Sequence, residues 1–226
     1  MADVLETLAA LQFGDSFFPS GAMAFSWGLE TLRADGLVNN GTDVDALVAG
    51  QLEHRWATFD RPAVVAAYRA AEDLDRVCAI DREVDAATLA REAREGARRI
   101  GASLLKVHTG LGTRGAAGYH ALVMRGEAFA QMPVVQGFVG QASGLGEDST
   151  CAMSGYQVAA AMVSAALRLA LLGHMEAQSI LQAQRARVAE LVSRPLPQTG
   201  AIHAFAPAVE IAMMRHETGS GRMFAN

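Results

Sequence analysis

Residues 150–173 read TCAMSGYQVAAAMVSAALRLALLG, an apolar run long enough to cross a bilayer or to form the central helix of a folded domain. The polar residues decide between the two. Ser154, Gln157, Ser164 and Arg168 follow one another at intervals of three, seven and four, so they lie on one stripe of a helix with an Ala, Met, Val and Leu surface around the rest. That pattern reads as a core helix, and no membrane partner is expected. Outward from it, Gly173 ends the helix and His174 to Val192 forms an antiparallel neighbour that Pro195 and Pro197 terminate. On the other side Ser149 supplies a cap, Gly144 to Asp148 an interruption, and Pro133 opens a helix of about three turns.

The same helical spacing continues along the chain, without strand alternation bounded by hairpin turns. A first helix is predicted over Val4 to Phe13, then a break at Phe17-Phe18-Pro19-Ser20-Gly21 and a second helix from Ala22 to Ala34. Thr42 or Asp43 caps a third through Thr58; Asp60 caps a fourth with Pro62 in its first turn. Further helices are expected over Asp85 to His108, Tyr119 to Ala128 and Pro207 to His216. The expected fold is all-α, a single-domain helical bundle of about nine to ten helices over residues 1–218, with 219–226 as a flexible tail.

With 226 residues the chain can bury roughly 70% or more of its unfolded surface. Hydrophobic residues are 51% and charged residues 19%, an apolar excess that points to large buried faces or to a surface covered by another protein. A net charge of −5 excludes nucleic acid as the main partner. Cys78 and Cys151 read as reduced thiols of a cytoplasmic protein, and Asp3 and Glu6 stand where a secretory signal would be cationic.

Motifs for chemistry are sparse. GLGTRG at 110–115 matches G-x-G-x-x-G but follows a helix instead of a strand, so it reads as a helix-to-helix loop; a nucleotide-binding enzyme using it is the alternative. Lys106 is the only lysine, which excludes a phosphate-cradling P-loop. His54, His108, His120, His174, His203 and His216 never fall three to five residues apart, so no local metal cage is read and no catalytic or metal residue is assigned. A direct nickel carrier built from distant histidines is a second alternative. Ser143 in QASGLG lacks the nucleophile-elbow spacing. The pairs Glu92 and Glu95, and Asp73 and Asp75, sit among arginines and read as solvated faces.

Two stretches stand out. In DSFFPSGAMAFSWGLET, residues 15–31, Met23 and Trp27 are placed on one helical face and a buried Glu30 would need a cationic or N–H partner. In MMRHETGSGRMFAN, residues 213–226, a Gly-Ser-Gly hinge carries Arg222, Met223 and Phe224 on a tail with little to pack against, a composition enriched in interface cores.

These segments, with ARRIGASLLK, VVQGFVGQASGLG and AALRLALLGHMEAQSIL between them, resemble the urease accessory protein UreF family, in the family's order and over essentially the whole chain. The resemblance implies an all-helical, non-enzymatic scaffold that dimerises, binds UreD (also called UreH), recruits the GTPase UreG and serves the urease apoprotein. Nickel and GTP are then handled by the partners, and no cofactor is expected on this chain. Pro19, Gly21, Ser26, Gly28, Leu29 and Glu30 match the opening motif, and His216, Glu217, Arg222 and Phe224 the closing one. Partner-binding residues are therefore expected among Pro19, Gly21, Met23, Phe25, Trp27, Gly28, Glu30, His216, Glu217, Arg222, Met223 and Phe224.

Overall fold

A computed structural model describes residues 2–15, 17–19, 25–196, 202–217 and 224. Eleven α-helices run in order: α1 Ala2–Gly14, α2 Leu29–Ala34, α3 Gly41–Gln51, α4 Arg61–Arg69, α5 Leu74–Ala87, α6 Arg91–Gly110, α7 Ala116–Met124, α8 Met132–Ala142, α9 Glu147–Arg168, α10 His174–Ser193 and α11 Pro207–His216. A π-helical segment, Leu52–Asp60, joins α3 to α4, so ten rods make the bundle, with no strand among the described residues. The expected all-α class is observed.

α9 is long and apolar enough to span a membrane, yet more than half of its most apolar window is buried inside the bundle. Two clusters of side chains make the core. One gathers α2, α3, the π segment, α9, α10 and α11; the other gathers Phe13, Phe18, Phe59 and the facing sides of α4 to α8. α4 and α8 approach closely because α8 offers Gly137, where a β-carbon would come within 2.1 Å of the Val64 carbonyl oxygen. Trp56 fills the centre, its Nε1 donating to Ser154 Oγ at 3.2 Å.

Several expected boundaries are corrected. The helix placed over residues 22–34 begins only at Leu29, because Trp27 and Gly28 have φ of 52° and 81°; Met23 lies outside the described residues. No helical face thus runs through Trp27. Asp60 caps nothing: the chain stays helical through it, and its carboxylate pairs with Arg55 at 3.3 Å. Pro62 has no N–H to offer the Thr58 carbonyl, and that oxygen accepts from the His203 amide at 3.1 Å, while the His54 carbonyl accepts from Phe205 at 2.9 Å. The π segment thereby docks the extended residues 202–206.

The long helix expected over 85–108 is broken at Thr88, whose backbone is extended; Asp85 belongs to α5, which Asp73 caps through the Arg76 amide at 3.0 Å. The short helix expected over Tyr119 to Ala128 is α7, Ala116–Met124, and Ser149 lies inside α9 instead of capping it.

Two carboxylates are buried where α5 meets the 129–131 turn. Asp81 accepts from the amides of Phe129, Ala130 and Gln131 at 2.6, 2.9 and 2.7 Å, and burial still holds its pKa above the ordinary value. Asp85 is pushed up by burial too, but Arg98 and Gln131, each at 2.6 Å, outweigh it and leave the pKa below the usual value.

Candidate partner-binding surface

The two unusual stretches meet at the end of α11. Gly28, in the left-handed region, lets the start of α2 press against that helix, where a β-carbon would sit 3.1 Å from the Val209 carbonyl oxygen. Glu30, two residues on, faces His216, and on the other side of the ring α6 presents Glu92. His216 Nε2 lies 3.2 Å from Glu30 Oε2 and Nδ1 lies 2.8 Å from Glu92 Oε2. One imidazole, placed between a carboxylate of α2 and a carboxylate of α6, ties three helices together. The reading of Glu92 as solvated is corrected, since it is buried and its partner is 124 residues away.

The chain end joins this knot. The Phe224 amide donates to Glu30 Oε2 at 3.3 Å, and the Phe224 ring is 5% exposed with the Arg168 guanidinium 4.2 Å from its centroid. At this residue the tail does pack, in the same core cluster as α9. Glu217 pairs with Arg91 at 3.0 Å, and Arg215 with Asp35. Gly28, Glu30, His216, Glu217 and Phe224 are thus brought together, beside Trp27, which packs against the same cluster. Phe25 is buried against α6, with Arg99 5.4 Å from its ring, and Pro19 is exposed. Gly21, Met23, Arg222 and Met223 lie outside the described residues.

Sequence reasoning did not single out α1. Val4, Leu5, Leu8 and Leu11 are 55 to 68% exposed and Phe17 is 93% exposed, while Phe13 on the inner side packs edge-on to His108 at 4.7 Å. The signal was in the sequence: α1 is apolar at positions that cannot all face inward. Beside this stripe runs a groove of about 980 Å³ between α1, residues 17–19, α9 and α10, lined by Leu11, Phe18, Met153, Tyr156 and Leu167. α9 floors the groove and, at Arg168, holds Phe224.

No group of three His, Cys, Asp or Glu side chains among the described residues is arranged to hold a metal ion. Glu30 and Glu92 lie at opposite ring nitrogens of His216, so the three share no common centre. The 110–115 glycines close α6 and lead into α7, with Gly112 and Gly115 at φ of 75° and 77°.

The UreF family model matches residues 38–185. This chain belongs to the UreF family. Urease accessory protein UreF of Actinobacillus pleuropneumoniae is 31% identical over 225 residues, covering 96% of this chain and 97% of the relative. The protein of the same name in Trichodesmium erythraeum is 30% identical over 237 residues, covering 100% and 99%, and that of Yersinia pseudotuberculosis serotype I 29% over 227, covering 98% of both. The relatives therefore span both ends of the chain, which the family model leaves unmatched.

Proposed function

We propose that this chain is a non-catalytic, homodimeric scaffold of the cytoplasm that binds UreD (UreH), the GTPase UreG and the urease apoprotein so that nickel reaches the urease active site. The observation that carries this reading is the outward apolar stripe of α1, continuous through α9 with the Glu30–His216–Glu92 knot and Phe224. An apolar helical face beside a large groove is the form a protein-binding surface takes. The α1 stripe, the groove and the tail are assigned to UreD; other helical faces serve self-association and UreG.

Co-expression with tagged UreD and UreG tests the reading. The chain is expected to co-purify with both, and Arg222→Ala to leave the fold intact while weakening assembly about 30-fold or more, as loss of one partner from a charged hydrogen bond does. Deletion from Gly219 onward is expected to spare dimerisation. Failure to co-purify and to support nickel-dependent urease activation overturns the scaffold. Saturable stabilisation by ATP, GTP or NAD would favour a nucleotide enzyme instead, and stoichiometric nickel binding in calorimetry a nickel carrier.

A further inference from the structure

The groove beside α1 has the form of a place for one more helix. On its floor Ser149, Ala152, Tyr156, Ala160, Val163 and Leu167 follow one another at intervals of three or four, so one face of α9 lines it over about 27 Å at 1.5 Å per residue. α1 and α10 both pack against α9 and wall this face, α1 through Ala10 and Leu11 and α10 through Gln178 and Leu181. An apolar trough of that length is what an amphipathic helix needs to lay down its apolar side chains at i, i+4 and i+7.

Charge selects the occupant. Among the described residues lining the groove, Glu6 and Asp15 are acidic and none is Lys, Arg or His. Glu6 is fixed in place, since hydrogen bonds from Ser149 and from the Gly146 amide, the latter at 2.9 Å, hold its carboxyl below the ordinary range and keep it charged. Asp15 is exposed, and so is Asp148 beside the Ser149 end. A second copy of this chain would offer the stripe of its own α1, but that helix carries Asp3 and Glu6 and no cation, so the pairing sets carboxylate against carboxylate.

We propose that the groove receives an amphipathic α-helix of a partner chain, its apolar side chains laid along α9 and its Lys or Arg side chains on the flank that meets Glu6 and Asp15. This rests on the assignment of the α1 face to UreD and names the kind of segment UreD presents there.

The test uses the full-length protein and fluorescent peptides held helical by a hydrocarbon staple, with binding read by anisotropy. One peptide repeats Leu at i, i+4 and i+7 with Lys on the flanks; the second has the same composition with its leucines scrambled; the third is residues 2–14 of this chain. The Leu/Lys peptide is expected to bind saturably, and the 2–14 peptide about five- to tenfold more weakly at low salt, a gap that narrows as salt is raised. Ala160→Trp fills the trough and is expected to weaken the Leu/Lys peptide at least about tenfold at an unchanged melting temperature. Gln178→Lys, at an exposed position on the wall, carries the test by itself if Ala160→Trp does not fold: it is expected to weaken the Leu/Lys peptide about two- to threefold and to tighten the 2–14 peptide. Displacement of the Leu/Lys peptide by UreD supports the proposal. No saturable binding of that peptide, equal binding of the scrambled or the 2–14 peptide, or unchanged affinity in the variants overturns it even if UreD binds the chain. A bound Leu/Lys peptide that UreD leaves in place supports a cationic helix in the groove and overturns instead the assignment of the groove to UreD.

Discussion

The beginning and the end of the chain both lie on α9, and they meet it in opposite ways. α1 and the turn after it put Phe13 and Phe18 inward around His108, while Val4, Leu5, Leu8 and Leu11 of α1 stay in solvent, so its apolar surface exceeds what its own chain covers. The other end buries polar groups: Glu30, Glu92 and His216 satisfy one another, and the Phe224 ring is held under Arg168. Area lost from water stabilises whichever surface covers it, whereas a buried charge network is specified by its own geometry. The first arrangement leaves apolar area uncovered by its own chain, and the second fixes where Phe224 sits.

Breaking the polar end should have the largest effect on stability. His216→Ala removes the ring shared by the buried Glu92 and the half-buried Glu30 and is expected to lower unfolding free energy by about 3 kcal/mol or more, measured by urea denaturation. A loss below about 1 kcal/mol would show that the knot is solvated.

Beneath α1, burial pulls the His108 imidazole down to about 4 from 6.5. The unfolded chain binds the proton first, so the stability associated with neutral His108 is complete above pH 6.5 and is lost as pH falls toward 4. The loss amounts to about 3 kcal/mol, since each tenfold change in proton affinity is worth about 1.4 kcal/mol. Subtracting the pH–stability curve of His108→Gln isolates this contribution from those of Asp81 and Asp85, and a flat difference over that window would contradict it.

Phe224→Ala removes a buried ring and its cation contact, with an expected cost of about 2 kcal/mol. If the ring serves only to tether the chain end, hydrogen exchange will rise in α11 and the end of α9 while α4 and α8 stay protected.

The smallest effect on stability belongs to α1. Leu5→Ser with Leu8→Ser is expected to change unfolding free energy by less than about 0.5 kcal/mol each, as outward substitutions do. A cooperative loss of several kcal/mol would mean that the stripe is covered within the chain itself.

The helices bounded by glycine or proline were legible: α8 begins at its proline, α10 starts after Gly173, and α11 opens on Pro207. The division between α5 and α6 was not, because Thr88-Leu89-Ala90 contains neither residue; the turn is held by Thr88 Oγ1 on the Val84 carbonyl and Arg94 on the Thr88 carbonyl. Asp60-Arg61-Pro62 carried a helix-start signal that the π segment overrode by giving the Thr58 carbonyl another donor. Around Glu30 the need for a cationic or N–H partner was readable, and its supply by His216 and the Phe224 amide was not, because those residues lie 186 and 194 positions away. The exposure of α1 was hidden for another reason: apolar composition says that a helix wants cover, and only packing says on which side its own chain provides it.

The affinity of the full-length chain for UreD, compared between the native sequence and the Leu5→Ser, Leu8→Ser variant, tests most directly whether the outward face of α1 belongs to a partner. Binding at least about 30-fold weaker at an unchanged melting temperature is the expected result. Equal affinity for UreD in the two proteins would contradict it.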